Sequence, residues 1–253
     1  MLQRPAVLFD FDDTLSDPVP FFLQFARQIG IYLNRRFGGE PPAWEKAAAD
    51  MLIAVQDDYW DRFQGNPTNG YLEWLGALRL HSMQLVFKAM ELPLPPDAAQ
   101  LAQELQFEAL SKCHAGFRGA EKAVGELTAQ GYPLHMASGQ ESEYLRGGLT
   151  GLGLTPYFGR LFGPDLIDCA KEGVEYYTRV FAALGVRSAD TIVVDDYPPA
   201  IGWAVEAGAQ VIQAKLSAVT QEPTQPGIRA VVTDLHDLPL LIGQIAGNVP
   251  SGR

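Results

Sequence analysis

Two short acidic clusters are the residues whose types and spacing could do chemistry. Asp10-Phe11-Asp12-Asp13-Thr14 follows the apolar run Ala6-Val7-Leu8-Phe9, and Asp195-Asp196 follows Ile192-Val193-Val194. Apolar runs of this length are expected to be strands buried on both faces. Carboxylates a few ångströms apart repel and raise one another's pKa, so such clusters need a cation, a proton-transfer task or open water to relieve them. In an open parallel sheet the carboxyl ends of the strands are where ligands bind, which favours a cation or catalysis over plain solvation. Two such strand ends side by side would offer hard oxygen donors suited to magnesium.

A calcium loop can also begin with acids at alternate positions. Here no glycine stands at the sixth loop position and no glutamate at the twelfth, and the segment follows a strand where a calcium loop follows a helix.

The elements that must position these acids alternate through most of the chain. After Leu15, about a hundred residues have helical periodicity: 18–37 closed by Gly38-Gly39, a helix opened by Pro41-Pro42, a turn-rich loop over 64–70, 71–92 stopped by Pro93, Pro95 and Pro96, and a last helix capped by Asp97. From Phe117 onward, helices over 120–130, 141–152, 172–184, 199–207 and 238–245 alternate with strands at 132–137, 161–162, 191–194, 210–213 and 230–232. Strand–helix alternation implies right-handed crossovers and a parallel sheet covered on both faces. The expected fold is therefore α/β. A Rossmann-like core formed by 1–16 and 114–253 carries an inserted all-helical domain, 17–113, with a loose tail at 250–253.

The motifs resemble those of the haloacid dehalogenase-like (HAD) hydrolases, a superfamily of enzymes that form aspartyl-phosphates. Asp10-Phe11-Asp12-Asp13-Thr14 is similar to its first motif. Ser138-Gly139 after Met136-Ala137 resembles the second, Lys171 the third, and Asp195-Asp196 before Ala207-Gly208 the fourth. The resemblance implies Asp10 as nucleophile and Asp12 as general acid and base. Ser138, Gly139 and Lys171 would bind phosphate, and Mg2+ would be held by Asp10, Asp196 and the backbone carbonyl of Asp12. Lys171 would open the helix over 172–184. Asp195 stands where the family often has glycine or serine and would act on the metal directly or through water. The family's second acid is absent, since Ala200 and Ile201 occupy its places. Thr14 would organise the loop, and Asp13 is expected at the surface or, less favoured, supporting the groups of the site.

Within the superfamily, dehalogenases and phosphonate hydrolases lack an aspartate at the position of Asp12, whereas phosphatases and phosphomutases carry it. The resemblance thus implies a magnesium-dependent phosphomonoester hydrolase acting on a small phosphorylated metabolite, with the insertion as its cap. The alternatives are a phosphomutase and a HAD-fold binding or regulatory protein that has lost turnover.

Composition sets the remaining limits. The 253 residues are 47% apolar, enough for a full core, and the net charge of -11 with a pI near 4.8 argues against nucleic acid or an anionic membrane as partner. The insertion has 8 Lys and Arg against 12 Asp and Glu, net -4, so it is no strongly anion-attracting lid. Among its residues within reach of a substrate, Arg35, Arg36, Arg62, Arg79 and Lys88 are expected on solvated faces, and Tyr59 and Trp60 in packing. Cys113 and Cys169 lack metal-site spacing and are expected as small buried apolar groups. No apolar stretch approaches the ~20 residues needed to span a bilayer, and no cleavage-type segment stands at the N-terminus, so a cytoplasmic enzyme is expected. Oligomeric state is left open.

Overall fold

A computed structural model describes residues 4–64, 70–217 and 222–247. The greater part of the loop expected over 64–70 and the tail at 250–253 lie outside the described residues.

Six strands form one parallel sheet: β1 (Ala6–Phe9), β2 (Leu134–Ala137), β3 (Phe158–Phe162), β4 (Thr191–Asp195), β5 (Gln210–Ala214) and β6 (Ile228–Val232), in the order β3-β2-β1-β4-β5-β6. β1 is central, with every residue buried. Phe9 pairs with Met136 on one side and Val194 on the other, so three neighbouring strands end level. The connections run one way from β1 to β4, β5 and β6 and the other way from β2 to β3. The crevice at such a reversal is where ligands bind in open α/β sheets.

The alternation of side chains along the strands divides the core into two layers. Val7, Phe9, Ile192 and Val194 face one layer, and Leu8, Val193 and Val211 face the other. On the second face pack α8 (Val174–Leu184) and α9 (Pro198–Glu206), through Tyr177, Val180 and Ile201. α5 (Ala120–Ala129) and α10 (Leu238–Gly247) cover the first face with Val124, Leu127 and Ile242, and α6 (Ser142–Gly151) adds Leu145 and Leu149 there.

Between β1 and α5 lie four helices, α1 (Pro18–Phe37), α2 (Pro41–Phe63), α3 (Tyr71–Ala89) and α4 (Ala98–Leu110). Proline starts α1 and α2, where its missing N–H costs nothing, and Gly38 at φ 74° closes α1. The two strands of chain that lead into and out of this insertion are bonded together: Asp17 N donates to Ala115 O, Phe117 N donates to Leu15 O, and Ser16 bridges Gly116. α6 lies against α4 through a glycine face, for a Cβ on Gly151 would strike the backbone carbonyls of Leu110 and Cys113.

Two local expectations need correction. Asp97 precedes α4, but its carboxylate accepts from Arg36 at 2.7 Å and makes no capping bond. Lys171 does not open a helix; α8 starts at Val174. The preceding Cys169 and Ala170 are fully buried, Cys169 in the cluster of Tyr176 and Tyr177 and Ala170 against Phe63, Tyr71 and Trp74 of the insertion. A short helix, α7 (Pro164–Ile167), was not expected. Cys113 and Cys169 are buried and free, their thiols pushed by burial to about 12 and about 11.

Candidate active site

The end of β1 delivers Asp10, whose amide continues the ladder by donating to Val194 O at 2.9 Å. The end of β4 delivers Asp195 and then Asp196. Strand alternation puts Asp195 on the face of Val193, toward α8, where it is wholly buried. There its Oδ2 accepts from Tyr177 at 3.0 Å and lies 2.6 Å from Lys171 Nζ, while its Oδ1 accepts from the Tyr197 amide. Lys171 Nζ also donates to Asp10 Oδ1 at 2.7 Å. Burial pulls the Lys171 ammonium down, but Asp10 and Asp195 outweigh it and hold its pKa well above the usual value.

Asp196 turns the other way and accepts from Thr14 Oγ1 at 3.3 Å, so Thr14 ties the two acid clusters together. Burial, then Asp10 and Asp195, push Asp196 up to about 8. Asp10, Asp195 and Asp196 each offer an oxygen, all within 4.8 Å of one another. Carboxylates this close, one of them favouring its proton, are a hard donor set short of positive charge, and they suit a divalent cation.

Asp12 is held apart from this cluster. Its Oδ1 accepts from Ser16 at 3.0 Å and its Oδ2 from Gln140 at 2.8 Å. Burial, then Asp10, push it up to about 6, although Gln140, Ser16 and Lys171 all oppose the rise. A carboxyl that titrates near neutrality can give a proton and take it back. Asp13 adopts a left-handed backbone at φ 54° and accepts from Ser217.

Ser138 follows β2, with its amide donating to Phe162 O and its carbonyl held by Tyr176 at 2.8 Å. Gly139 sits beside Lys171, whose Cβ lies 4.0 Å from where a Cβ on the glycine would stand. Every candidate site residue from the sequence except Asp195 borders a single cavity of about 600 Å³, which reaches from the strand ends into the four helices. Asp195 stands behind it, supporting Lys171.

Of the insertion residues singled out in the sequence, Tyr59, Trp60 and Arg79 reach this cavity, and Arg35, Arg36, Arg62 and Lys88 do not. Arg79 pairs with Glu141 at 3.1 Å, Tyr59 donates to Glu172 at 3.2 Å, and Trp60 meets Tyr197 with ring centroids 6.0 Å apart. Each contact joins the insertion to the core. Tyr144 adds edge-on contacts to Phe11 and Phe25. Sequence reasoning missed Gln140, Tyr177, Glu141 and Glu172. Gln140 and Glu172 adjoin residues already singled out, whereas Tyr177 resembles any other apolar position on its helix. Ala200 and Ile201, which stand in place of a second acid, are packed in the core.

The model of the haloacid dehalogenase-like hydrolase family matches residues 5–208, spanning both acid clusters and the insertion. The chain belongs to this hydrolase family. A phosphoglycolate phosphatase of Yersinia pestis is 26% identical over 206 residues, 81% of this chain and 78% of its own. The 2-haloacid dehalogenase of Pseudomonas syringae pv. Tomato DC3000 superposes with a TM-score of 0.67 at 20% identity, covering 96% of this chain and 99% of its own. The HAD-hydrolase YfnB of Bacillus subtilis, solved bound to magnesium, superposes at 0.61 with 19% identity over 95% and 99%. These structural likenesses concern the fold. No described helix of this HAD-like hydrolase is long and apolar enough to cross a membrane.

Proposed function

We propose that the protein is a magnesium-dependent phosphomonoester hydrolase that works through an aspartyl-phosphate on Asp10, with residues 17–113 as a cap over a core of 1–16 and 114–253. One observation carries the reading. Asp10 and Asp12 border the same cavity in opposite conditions, Asp10 ion-paired to Lys171 and Asp12 able to hold a proton near neutrality. The likeness to a phosphoglycolate phosphatase supports phosphoryl chemistry. So does the aspartate at position 12, which the family's dehalogenases lack.

In this reading an Asp10 oxygen attacks phosphorus while the bond from phosphorus to the ester oxygen breaks, and Asp12 gives its proton to the departing alkoxide. Asp12 then takes a proton from water as that water attacks the same phosphorus. The acyl-phosphate bond breaks, which regenerates the Asp10 carboxylate and frees inorganic phosphate. Ser138, the backbone at Gly139 and Lys171 hold the phosphoryl oxygens in line. Asp195 fixes the direction of Lys171. Asp10, Asp196 and the Asp12 carbonyl are the groups that would hold magnesium, with Asp195 behind them. When bound, the ion supplies charge that offsets the repulsion between carboxylate and phosphate.

The test is phosphate release from phenyl phosphate with and without magnesium, in wild type and Asp10→Asn. Magnesium-dependent release that the substitution reduces by at least about a thousandfold is the expected result. Equal rates in the two proteins would end the reading.

A further inference from the structure

We infer that the alcohol this enzyme releases is bulky, uncharged and mainly apolar; the inference rests on the phosphatase reading above. The cavity is far larger than a phosphoryl group and two carbons require, since volumes of about 300–1,000 Å³ hold drug-sized ligands and this one is about 600 Å³. On the insertion side its wall is made by Phe22, Val55, Trp60, Trp74 and Leu78.

Charge narrows the choice. Among the described residues the cavity has two cations, and both are committed: Lys171 lies between Asp10 and Asp195, and Arg79 is paired with Glu141. A second anionic group on the substrate, such as the carboxylate of phosphoglycolate, would find Glu141 and Glu172 nearby and no cation free to meet it. A sugar would bring several hydroxyls to a wall that offers chiefly hydrocarbon, and each hydroxyl left unpaired there opposes binding. The neutral polar groups on this side are the hydroxyls of Tyr59, Tyr71 and Ser82 and the amides of Gln56 and Gln106, of which Tyr59, Ser82 and Gln106 are already bonded to Glu172, the Arg79 carbonyl and Glu141.

Lys171 and Asp12 serve the phosphoryl group whatever the alcohol, so the wall acts on the alcohol alone. The experiment is therefore a series of ethyl, butyl, hexyl and octyl phosphates, whose leaving oxygens are chemically alike, run beside phosphoglycolate and glucose 6-phosphate under magnesium. The expected result is a kcat/KM that climbs roughly fourfold per methylene until the cavity is filled, with both polar esters at least about a hundredfold below the best alkyl ester. Leu78→Asn and Val55→Asn replace half-buried wall residues, and each should flatten the climb in a protein whose circular dichroism is unchanged. 1-Octanol should inhibit competitively, and more strongly than ethanol.

Turnover that depends on Asp10 and magnesium but is flat along the series, or fastest on phosphoglycolate, overturns the inference and leaves a phosphatase. Turnover of no ester, or equal turnover by Asp10→Asn, removes the phosphatase reading and the inference with it.

Discussion

Lys171 and Asp195 lie 2.6 Å apart, 6% and 0% exposed, and the same ammonium reaches Asp10 at 2.7 Å. A single cation thus fastens the end of β1 to the end of β4. Removing one partner of a buried ion pair leaves an uncompensated charge, which costs about 3–5 kcal/mol. Lys171→Met should lower stability by that order in urea unfolding at pH 7 without metal. The remaining carboxylates would then have pKa values raised in the folded state. An acid so raised binds more protons folded than unfolded, so the deficit should shrink as the pH is lowered toward 5.

Asp196 gives a second test. Its folded pKa of about 8, against 3.8 for a free aspartate, means that the metal-free protein gains stability from this group as pH falls from 8 toward 4 and loses it as pH rises. A cation that binds the ionised form must displace the proton. Magnesium titrated calorimetrically at pH 7, in buffers of different ionisation enthalpy, should release about one proton per ion. Asp196→Asn should remove both the release and most of the affinity. Affinity that does not rise with pH between 6 and 8 would contradict this.

Gln140 donates to Asp12 Oδ2 and so favours the charged form of that acid. In the proposed mechanism Asp12 must be protonated to serve the departing oxygen, which places a falling limb of kcat on the alkaline side of its pKa. Gln140→Leu removes the donor, and a hydrogen bond to a charged group is worth enough to raise the pKa by about one unit. The alkaline limb should move upward by that amount. The magnesium requirement should be unaltered.

How much of this was legible in the sequence follows from how local each signal is. Strand ends that carry Asp10, Asp12, Asp195 and Asp196 announce themselves because a buried apolar run and a carboxylate are improbable neighbours unless something uses them. The support of Lys171 by Tyr177 and Asp195 was not legible, since it depends on which face of β4 meets α8, a matter of sheet register. The shift of the α8 start to Val174 was hidden for a related reason: Cys169 and Ala170 are buried by residues distant in sequence, Ala170 by Phe63, Tyr71 and Trp74 of the insertion. Asp97 shows the limit of cap signals, as Arg36 competes for it from sixty-one residues away.

The glycine face of α6 offers a stability test apart from the chemistry. A Cβ on Gly151 would meet the backbone carbonyls of Leu110 and Cys113, which cannot swing aside as a side chain can. Overpacking of this kind costs about 1–3 kcal/mol, so Gly151→Ala should lower the melting temperature by roughly 2–12 °C. Gly153→Ala has open space around it, though at φ 73°, so its loss should come from backbone strain alone, about 1–2 kcal/mol.

The pairing of Ser16 with Gly116 has a longer reach. Ninety-nine residues leave the sheet and return to it through one zipped stalk four positions beyond Asp12. A different helical bundle grafted onto that stalk would keep its bonds but would have to repack against Val7 and Phe9 of β1, which share one buried cluster with Phe21, Phe25 and Leu110. In the proposed reading, an insertion exchanged there would alter the far wall of the cavity while Asp10, Asp12 and Lys171 stayed where the core holds them.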